Sequence, residues 1–176
     1  MNRYMSQTNS GLEGWQAQVA APGKLPCHFG YLVHDLARIR GTFFDRLFKP
    51  LGLTRTQVVL LGTLANCKRH LNQQELSAAM DLSKVTIGAM LDVLEKNSFV
   101  KRGVGKKDRR EKLIRVTPQG LAALDLARDV ARDADTAILA SLRPEDIKVT
   151  EQALLQVSLI IRGMMSSAAE YTQKRV

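Results

Sequence analysis

The segment KRGVGKKDRREKLIR, residues 101–115, most constrains what this chain can fold into. It holds eight basic residues against two acidic ones, and short apolar runs precede and end it. Its two halves can pair as antiparallel strands, with Gly103 and Gly105 supplying the positive φ that a tight reversal needs. A basic hairpin tip is suited to approach a phosphate backbone, whereas an isolated charge run is more often a solvated loop. The residues upstream decide between these two interpretations.

Residues 71–100 upstream have the pattern of two short helices separated by a turn. Asn72 and Glu75 form a capping signal for the first helix, whose apolar face is Leu76, Ala79 and Met80. Ser83 caps the second helix, whose predicted apolar face is Val85, Ile87, Met90, Leu91 and Leu94. In a helix-turn-helix, the second helix places the start of its polar face in the major groove of DNA. We therefore predict a DNA-reading face made of Ser83, Lys84, Thr86 and the small Gly88 and Ala89, which allow close approach to base edges.

Two helices followed by a basic hairpin predict a winged helix-turn-helix. The hairpin, or wing, contributes further candidate DNA-binding residues, all cationic: Arg102, Lys106, Lys107, Arg109 and Arg110. The Asp108 carboxylate next to the two arginines can orient one guanidinium. The predicted fold class is mainly α with a small β-wing.

The chain resembles the MarR-type transcriptional regulators, and the resemblance runs from Gly30 to about Gly163. The matching segments are YLVHDLARI from residue 31, LFKPLGLTRTQ from 47, LNQQELSAAM from 71 and LSKVTIGAMLDVLEKNSFV from 82. The most specific segment is KKDRREKLIRVTPQG, residues 106–120, in which Asp-Arg-Arg, a strand and Thr-Pro-x-Gly are similar to the family's wing signature. The resemblance implies a dimer whose recognition helix reads the major groove and whose wing arginine reaches the minor groove. It also implies that a small ligand or thiol oxidation controls release from DNA.

Helices at both ends of the chain exceed what a winged domain requires. Apolar residues at helical spacing predict a long first helix that ends before Pro50. Thr54 and Gln57 form a capping box for the next helix, and Pro118 and Pro144 open the last two. The spare apolar faces of the outer helices are best buried by a second copy of the chain, although a monomer with a thick helical cap is the alternative. The expected organisation is a polar extension at 1–25, a winged domain at about 53–116, and dimerisation helices at about 27–49 and 117–170.

Composition supports a nucleic-acid partner. The net charge is +9, and the basic hairpin supplies six of those charges, so the excess is local. No apolar run approaches the length of a membrane span, and residues 1–25, which include Trp15, lack the apolar core of a signal peptide. A cytoplasmic protein without membrane association is therefore expected. GxSxG, HExxH, Walker and dinucleotide motifs are absent from the sequence, so neither catalysis nor a cofactor is expected.

Candidate effector-binding residues lie on the predicted first helix. His34 and Arg38 are four residues apart on the first helix, and Tyr31 and Phe44 can wall a pocket there. The resemblance implies phenolic or other aromatic acids, or their thioesters, as ligands; an ion pair between Arg38 and Asp35 is the alternative role. Cys27 and Cys67 are either thiol sensors or ordinary buried residues. Metal sensing is disfavoured because His28 and His34 do not share a helical face.

Overall fold

A computed structural model describes residues 25–67, 69–104 and 112–166. Several predictions lie outside these residues: those for the N-terminal extension with Trp15, for Gly105, and for the wing-tip residues Lys106, Lys107, Asp108, Arg109 and Arg110. The side chains of Cys27 and His28 are likewise outside the description. The described chain folds into six α-helices and three short strands.

Helix α1 spans Leu25–Phe48 and continues into a single 3-10 turn, Lys49–Leu51. The α-helix thus ends before Pro50, as predicted, because the proline ring fixes φ and lacks an N–H. Gly52 closes the turn at a φ of +69° and donates its N–H to the Lys49 carbonyl. Phe44 and Phe48 are buried with their ring centroids 5.6 Å apart.

Helices α2, Arg55–Asn66, and α3, Gln73–Met80, both begin with complete capping boxes. The Gln57 amide donates to the Thr54 hydroxyl, and the Thr54 amide donates to the Gln57 side chain. Asn72 and Glu75 exchange the equivalent pair of bonds, each 2.9 Å long. Both capping predictions are therefore confirmed.

Helix α4, Lys84–Lys96, follows a tight turn in which Asp81 has a left-handed φ of 53°. Ser83 caps α4 by accepting a hydrogen bond from the Thr86 amide. The core between α3 and α4 is formed by leucine and isoleucine side chains: Leu76, Ile87, Leu91 and Leu94. The predicted apolar faces were wrong at two positions, because Val85 is 83% exposed and Ala79 is also exposed.

Strands β1, Leu71–Asn72, β2, Val100–Val104, and β3, Lys112–Val116, form an antiparallel sheet in the order β1-β3-β2. The β2–β3 pair is the predicted hairpin. Gly103 lies within β2 opposite Leu113 and does not adopt a positive φ. Its predicted role in the reversal was therefore wrong. A positive φ in this region belongs instead to Ser98, at 61°, just before β2.

Helices α5, Pro118–Leu139, and α6, Pro144–Ser166, begin at the two predicted prolines. The Thr117 hydroxyl caps α5 by accepting a hydrogen bond from the Gly120 amide. The chain divides into two compact units, one ending at Ala127 and the other beginning at Arg128 within α5. No helix in the described ranges is long and apolar enough to span a membrane.

Candidate nucleic-acid interface

The outward face of α4 carries most of the predicted DNA-reading residues. Lys84, Thr86 and Ala89 are exposed, as is the capping residue Ser83. The Ser83 and Thr86 hydroxyl oxygens lie 2.8 Å apart, so the cap forms a compact hydroxyl pair at the start of the helix. Ile87, Leu91 and Leu94 hold the opposite face of α4 in the core. The helix is thus fixed with its first turn open to solvent.

Gly88, predicted to lie on the DNA-reading face, also has a packing role within the helix-turn-helix. The side-chain amide of Gln73, at the start of α3, donates to the Lys84 carbonyl at 2.7 Å. A Cβ atom at Gly88 would lie 2.9 Å from the Gln73 amide nitrogen. Because Gly88 has no side chain, the Gln73 side chain can pack against it. The half-buried Gly88 therefore allows close contact between the two helices of the helix-turn-helix.

Arg102 connects the wing to α4. Its guanidinium forms hydrogen-bonded ion pairs with Asp92, at 2.6 Å, and with Glu95, at 2.5 Å. Its backbone amide also donates to Glu95, and these bonds from Arg102 lower the pKa of the Glu95 carboxyl. Arg102 was predicted to contact DNA, but its described contacts bind strand β2 to helix α4. It is thereby suited to neutralise two acids on the recognition helix.

The hairpin register places two cations opposite each other. Lys101 of β2 pairs with Arg115 of β3, and both side chains are exposed. Directly opposed residues of an antiparallel pair project from the same face, where like charges destabilise the sheet. Such a pair is stabilised when an anion binds to that face. The exposed side of the hairpin stem is therefore suited to contact phosphate.

The four predicted effector residues do not lie together. Tyr31, His34 and Arg38 are exposed along α1, whereas Phe44 is only 2% exposed and packs in the core beneath the Arg40 guanidinium. Arg38 donates to the Asp35 carboxylate through Nε at 3.1 Å and through a second guanidinium nitrogen. The alternative role weighed for Arg38, an ion pair, is thus observed. Phe44 does not wall an open pocket with the other three residues.

An open cavity of about 370 Å³ lies between the start of α2 and the end of α3. Its lining combines the Arg55 side chain with threonine and apolar side chains: Thr56, Val59, Thr63, Ala79, Met80 and Leu82. The Arg55 guanidinium also lies 3.4 Å from the position a Cβ atom would take at Gly41 of α1. This cavity could not be predicted from the sequence, because its walls come from segments that are far apart in the chain.

Cys67 is half-buried at the end of α2. The nearby cation Arg69 pairs with Glu75 at 2.7 Å. That hydrogen bond, together with the Asn72 amide, lowers the pKa of Glu75. Within the described ranges no group of three or more His, Cys, Asp or Glu residues is placed to hold a metal ion.

Three candidate DNA-contacting residues were missed from the sequence: Val85, Lys101 and Arg115. Val85 was assigned to the core because valine is usually buried in a periodic helix. Lys101 and Arg115 belong to the basic segment, but only the strand register places them on one face. The sequence contained a signal for this register. Pairing Val100 with Val116 on the buried face would have placed Lys101 opposite Arg115 on the exposed face.

Comparison with known proteins identifies the fold. Residues 53–112 match the family model described as MarR family. A MepR mutant from S. aureus is similar over 76% of this chain and 98% of its own, with a TM-score of 0.65 and 20% identity. An E. coli MarR mutant complexed with operator DNA is similar over 74% and 94%, with a TM-score of 0.65 and 21% identity. CouR from Rhodococcus jostii, bound to p-coumaroyl-CoA, is similar over 78% and 95%, with a TM-score of 0.63 and 22% identity. At these identities, the structural likenesses establish the winged-helix fold.

Proposed function

We propose that this chain is a winged-helix transcriptional regulator of the MarR family and not an enzyme, and that it acts as a homodimeric repressor that binds operator DNA. Helix α4 enters the major groove in this proposal, and the wing follows the adjacent backbone. A small aromatic, phenolic acid-like ligand then releases the protein from its operator. Repression takes place where the DNA lies, in the cytoplasm.

The observation that carries the DNA-binding proposal is the exposed first turn of α4 beside a hairpin with opposed cations. Ser83, Lys84 and Thr86 present polar groups to solvent, and Lys101 and Arg115 present positive charge. Phosphate contacts of this kind position a protein on DNA, and base contacts from the recognition helix specify the sequence.

Substitutions in the wing can distinguish contacts that favour the operator from phosphate contacts that are made with any DNA sequence. We expect Arg110→Ala to lower operator affinity by about 1–3 kcal/mol through lost minor-groove and phosphate contacts. Lys106→Ala or Lys107→Ala should weaken binding to all DNA sequences alike. Each should also reduce the slope of log affinity against log salt concentration by about one. Gel-shift titrations at several salt concentrations measure both effects. An Arg110→Ala variant with unchanged affinity would exclude a role for the wing tip.

The homodimer proposal rests on apolar side chains that α1 and α6 expose. On α1 they include Leu32, Leu36 and Ile39, and on α6 they include Leu155 and Ile160. Exposed apolar rows of this length are unusual in monomers and are buried by a symmetric copy in most oligomers. A dimer of this fold should protect a pseudo-palindromic site with half-site centres about 10 base pairs apart. Light scattering that gives a monomer, or a footprint over one half-site, would contradict the proposal.

The effector proposal rests on Arg38, a cation on α1 whose described partner is Asp35. A ligand carboxylate would replace Asp35 in a charged hydrogen-bonded pair, and CouR, a protein of the same fold, is bound to p-coumaroyl-CoA. Arg38→Ala should leave DNA binding nearly intact while removing release by aromatic acids, and His34→Ala should weaken the response less. Asp35→Asn is the matched variant, because it removes the competing carboxylate and should sharpen the response. Calorimetry of phenolic acids, paired with operator release, measures these differences.

Two other mechanisms predict different outcomes in the same assays. A thiol-oxidation sensor would release DNA after peroxide treatment and lose that response in the Cys67→Ser or Cys27→Ser variant. An effector-free architectural protein would show neither a thermal shift with aromatic acids nor ligand-dependent release. Loss of folding or of all DNA binding in Arg38→Ala would assign that residue to a structural ion pair.

A further inference from the structure

The recognition helix α4 presents an apolar row to solvent where a DNA-binding helix usually presents hydrogen-bonding groups. Val85 is 83% exposed, Ala89 is exposed, and Val93 is 45% exposed. The three residues are spaced by four, so they form one stripe along the side opposite the buried leucines. Because Val85 stays exposed to water, its apolar side chain contributes little to the free energy of folding.

Few side chains on this helix can read base edges by hydrogen bonding. Arginine, lysine, asparagine and glutamine make the bidentate contacts to guanine and adenine. Residues 85–93, VTIGAMLDV, contain none of these four types. Asp92 is held by Arg102, and the Ser83 and Thr86 hydroxyls lie within hydrogen-bond distance of each other. Apolar contact is therefore the main means of base recognition left to the centre of this face.

The apolar group that double-stranded DNA offers in its major groove is the C5 methyl of thymine. We propose that Val85 is a specificity-determining residue that contacts thymine methyl groups of the operator, with the small Ala89 permitting close approach. This inference rests on the proposed binding of α4 to DNA. The surrounding charge supports a polyanion as the occupant of this face, because exposed cations lie at both ends of α4, Lys84 and Lys96, and on the hairpin, Lys101 and Arg115.

The test removes the methyl group from the DNA and the valine from the protein. Duplexes enriched from a random library by the full-length protein are prepared either with thymine or with uracil, which differ only in that methyl group. We expect the wild-type protein to bind the uracil form about four-fold more weakly for each contacted methyl, and about 15-fold more weakly for two half-sites. Val85→Ala should bind both forms with affinities within about two-fold of each other. Val85→Thr keeps one of the two valine methyls and should give an intermediate ratio.

Val59→Ala is the matched control, because Val59 is an exposed valine on α2 outside the recognition helix. It should keep the wild-type ratio of thymine to uracil affinity. Thermal unfolding checks that each variant folds, which the high exposure of Val85 favours. Replacing single thymines should locate the sensitive position once in each half-site.

Each remaining outcome overturns one part of the reasoning. Equal affinity of the wild-type protein for the two duplex forms would overturn methyl recognition while leaving operator binding intact. A Val85→Ala variant that keeps the full wild-type ratio would assign the methyl contact to another residue and also overturn the proposal. Failure to enrich any duplex would instead contradict the proposed function itself.

Discussion

Substituting Gly120 tests whether the start of α5 depends on close backbone approach to Phe99, which lies between α4 and β2. A Cβ atom at this position would lie 2.0 Å from the Phe99 carbonyl oxygen and 2.9 Å from Val116 Cγ1. Because real Cβ atoms essentially never approach within 3.0 Å of such atoms, Gly120→Ala must separate the two backbones by about 1 Å. The Thr117 amide donates to the same Phe99 carbonyl at 3.0 Å, so this hydrogen bond is strained as well.

The expected cost combines overpacking with the damaged hydrogen bond. Overpacking of a tight site costs about 1–3 kcal/mol, and a hydrogen bond contributes about 0.5–1.5 kcal/mol. Gly120→Ala should therefore lower the free energy of unfolding by about 2–4 kcal/mol. In a protein of this size that corresponds to a fall in Tm of roughly 5–15 °C.

Thermal unfolding followed by circular dichroism, at one fixed protein concentration, measures this change. The control is Gly62→Ala, because nothing lies within 4 Å of a Cβ atom at that position in α2. The same substitution should there stabilise the protein by about 0.5–1 kcal/mol through helix propensity. A Gly120→Ala variant that unfolds within a degree of wild type would refute the close-approach argument.

Three further predictions follow from the described contacts. Hydrogen bonds from the backbone amide and the guanidinium of Arg102 lower the pKa of Glu95, so they stabilise the protein near neutral pH, and this contribution is lost as pH falls through the lowered pKa. Arg102→Met removes the guanidinium but keeps the amide, so it should partly flatten the acid side of a Tm-against-pH curve; an unchanged curve would exclude a contribution from the guanidinium. Ser98→Gly should raise stability by about 0.5–1 kcal/mol in urea unfolding, because its φ of 61° is unfavourable for residues with a Cβ; a loss of stability would contradict this. Gly88→Ala should be near neutral in the wild type but stabilising by about 1 kcal/mol in a Gln73→Ala background, which a double-mutant cycle measures; simple additivity would show that the two residues do not interact.

Local signals in the sequence determined where the elements begin and end. The capping pairs Thr54 with Gln57 and Asn72 with Glu75 act over three residues, so their chemistry is complete within the segment that contains them. Pro118 and Pro144 likewise mark helix starts because the ring fixes φ and lacks an N–H, whatever the surroundings. Order and type of the elements were therefore predictable, and with them the winged helix-turn-helix.

Only the tertiary structure decided which side chains face solvent and which face each other. Val85 is apolar but exposed, because the direction of α4 is set by the leucines that it buries and not by each residue's own hydropathy. Arg102 belongs to a basic segment but pairs with acids seven and ten residues earlier in the chain, which come close only when β2 folds beside α4. Gly88 accommodates Gln73, fifteen residues earlier, in the same way. Contacts between segments depend on the relative placement of whole helices and strands, which no local pattern specifies.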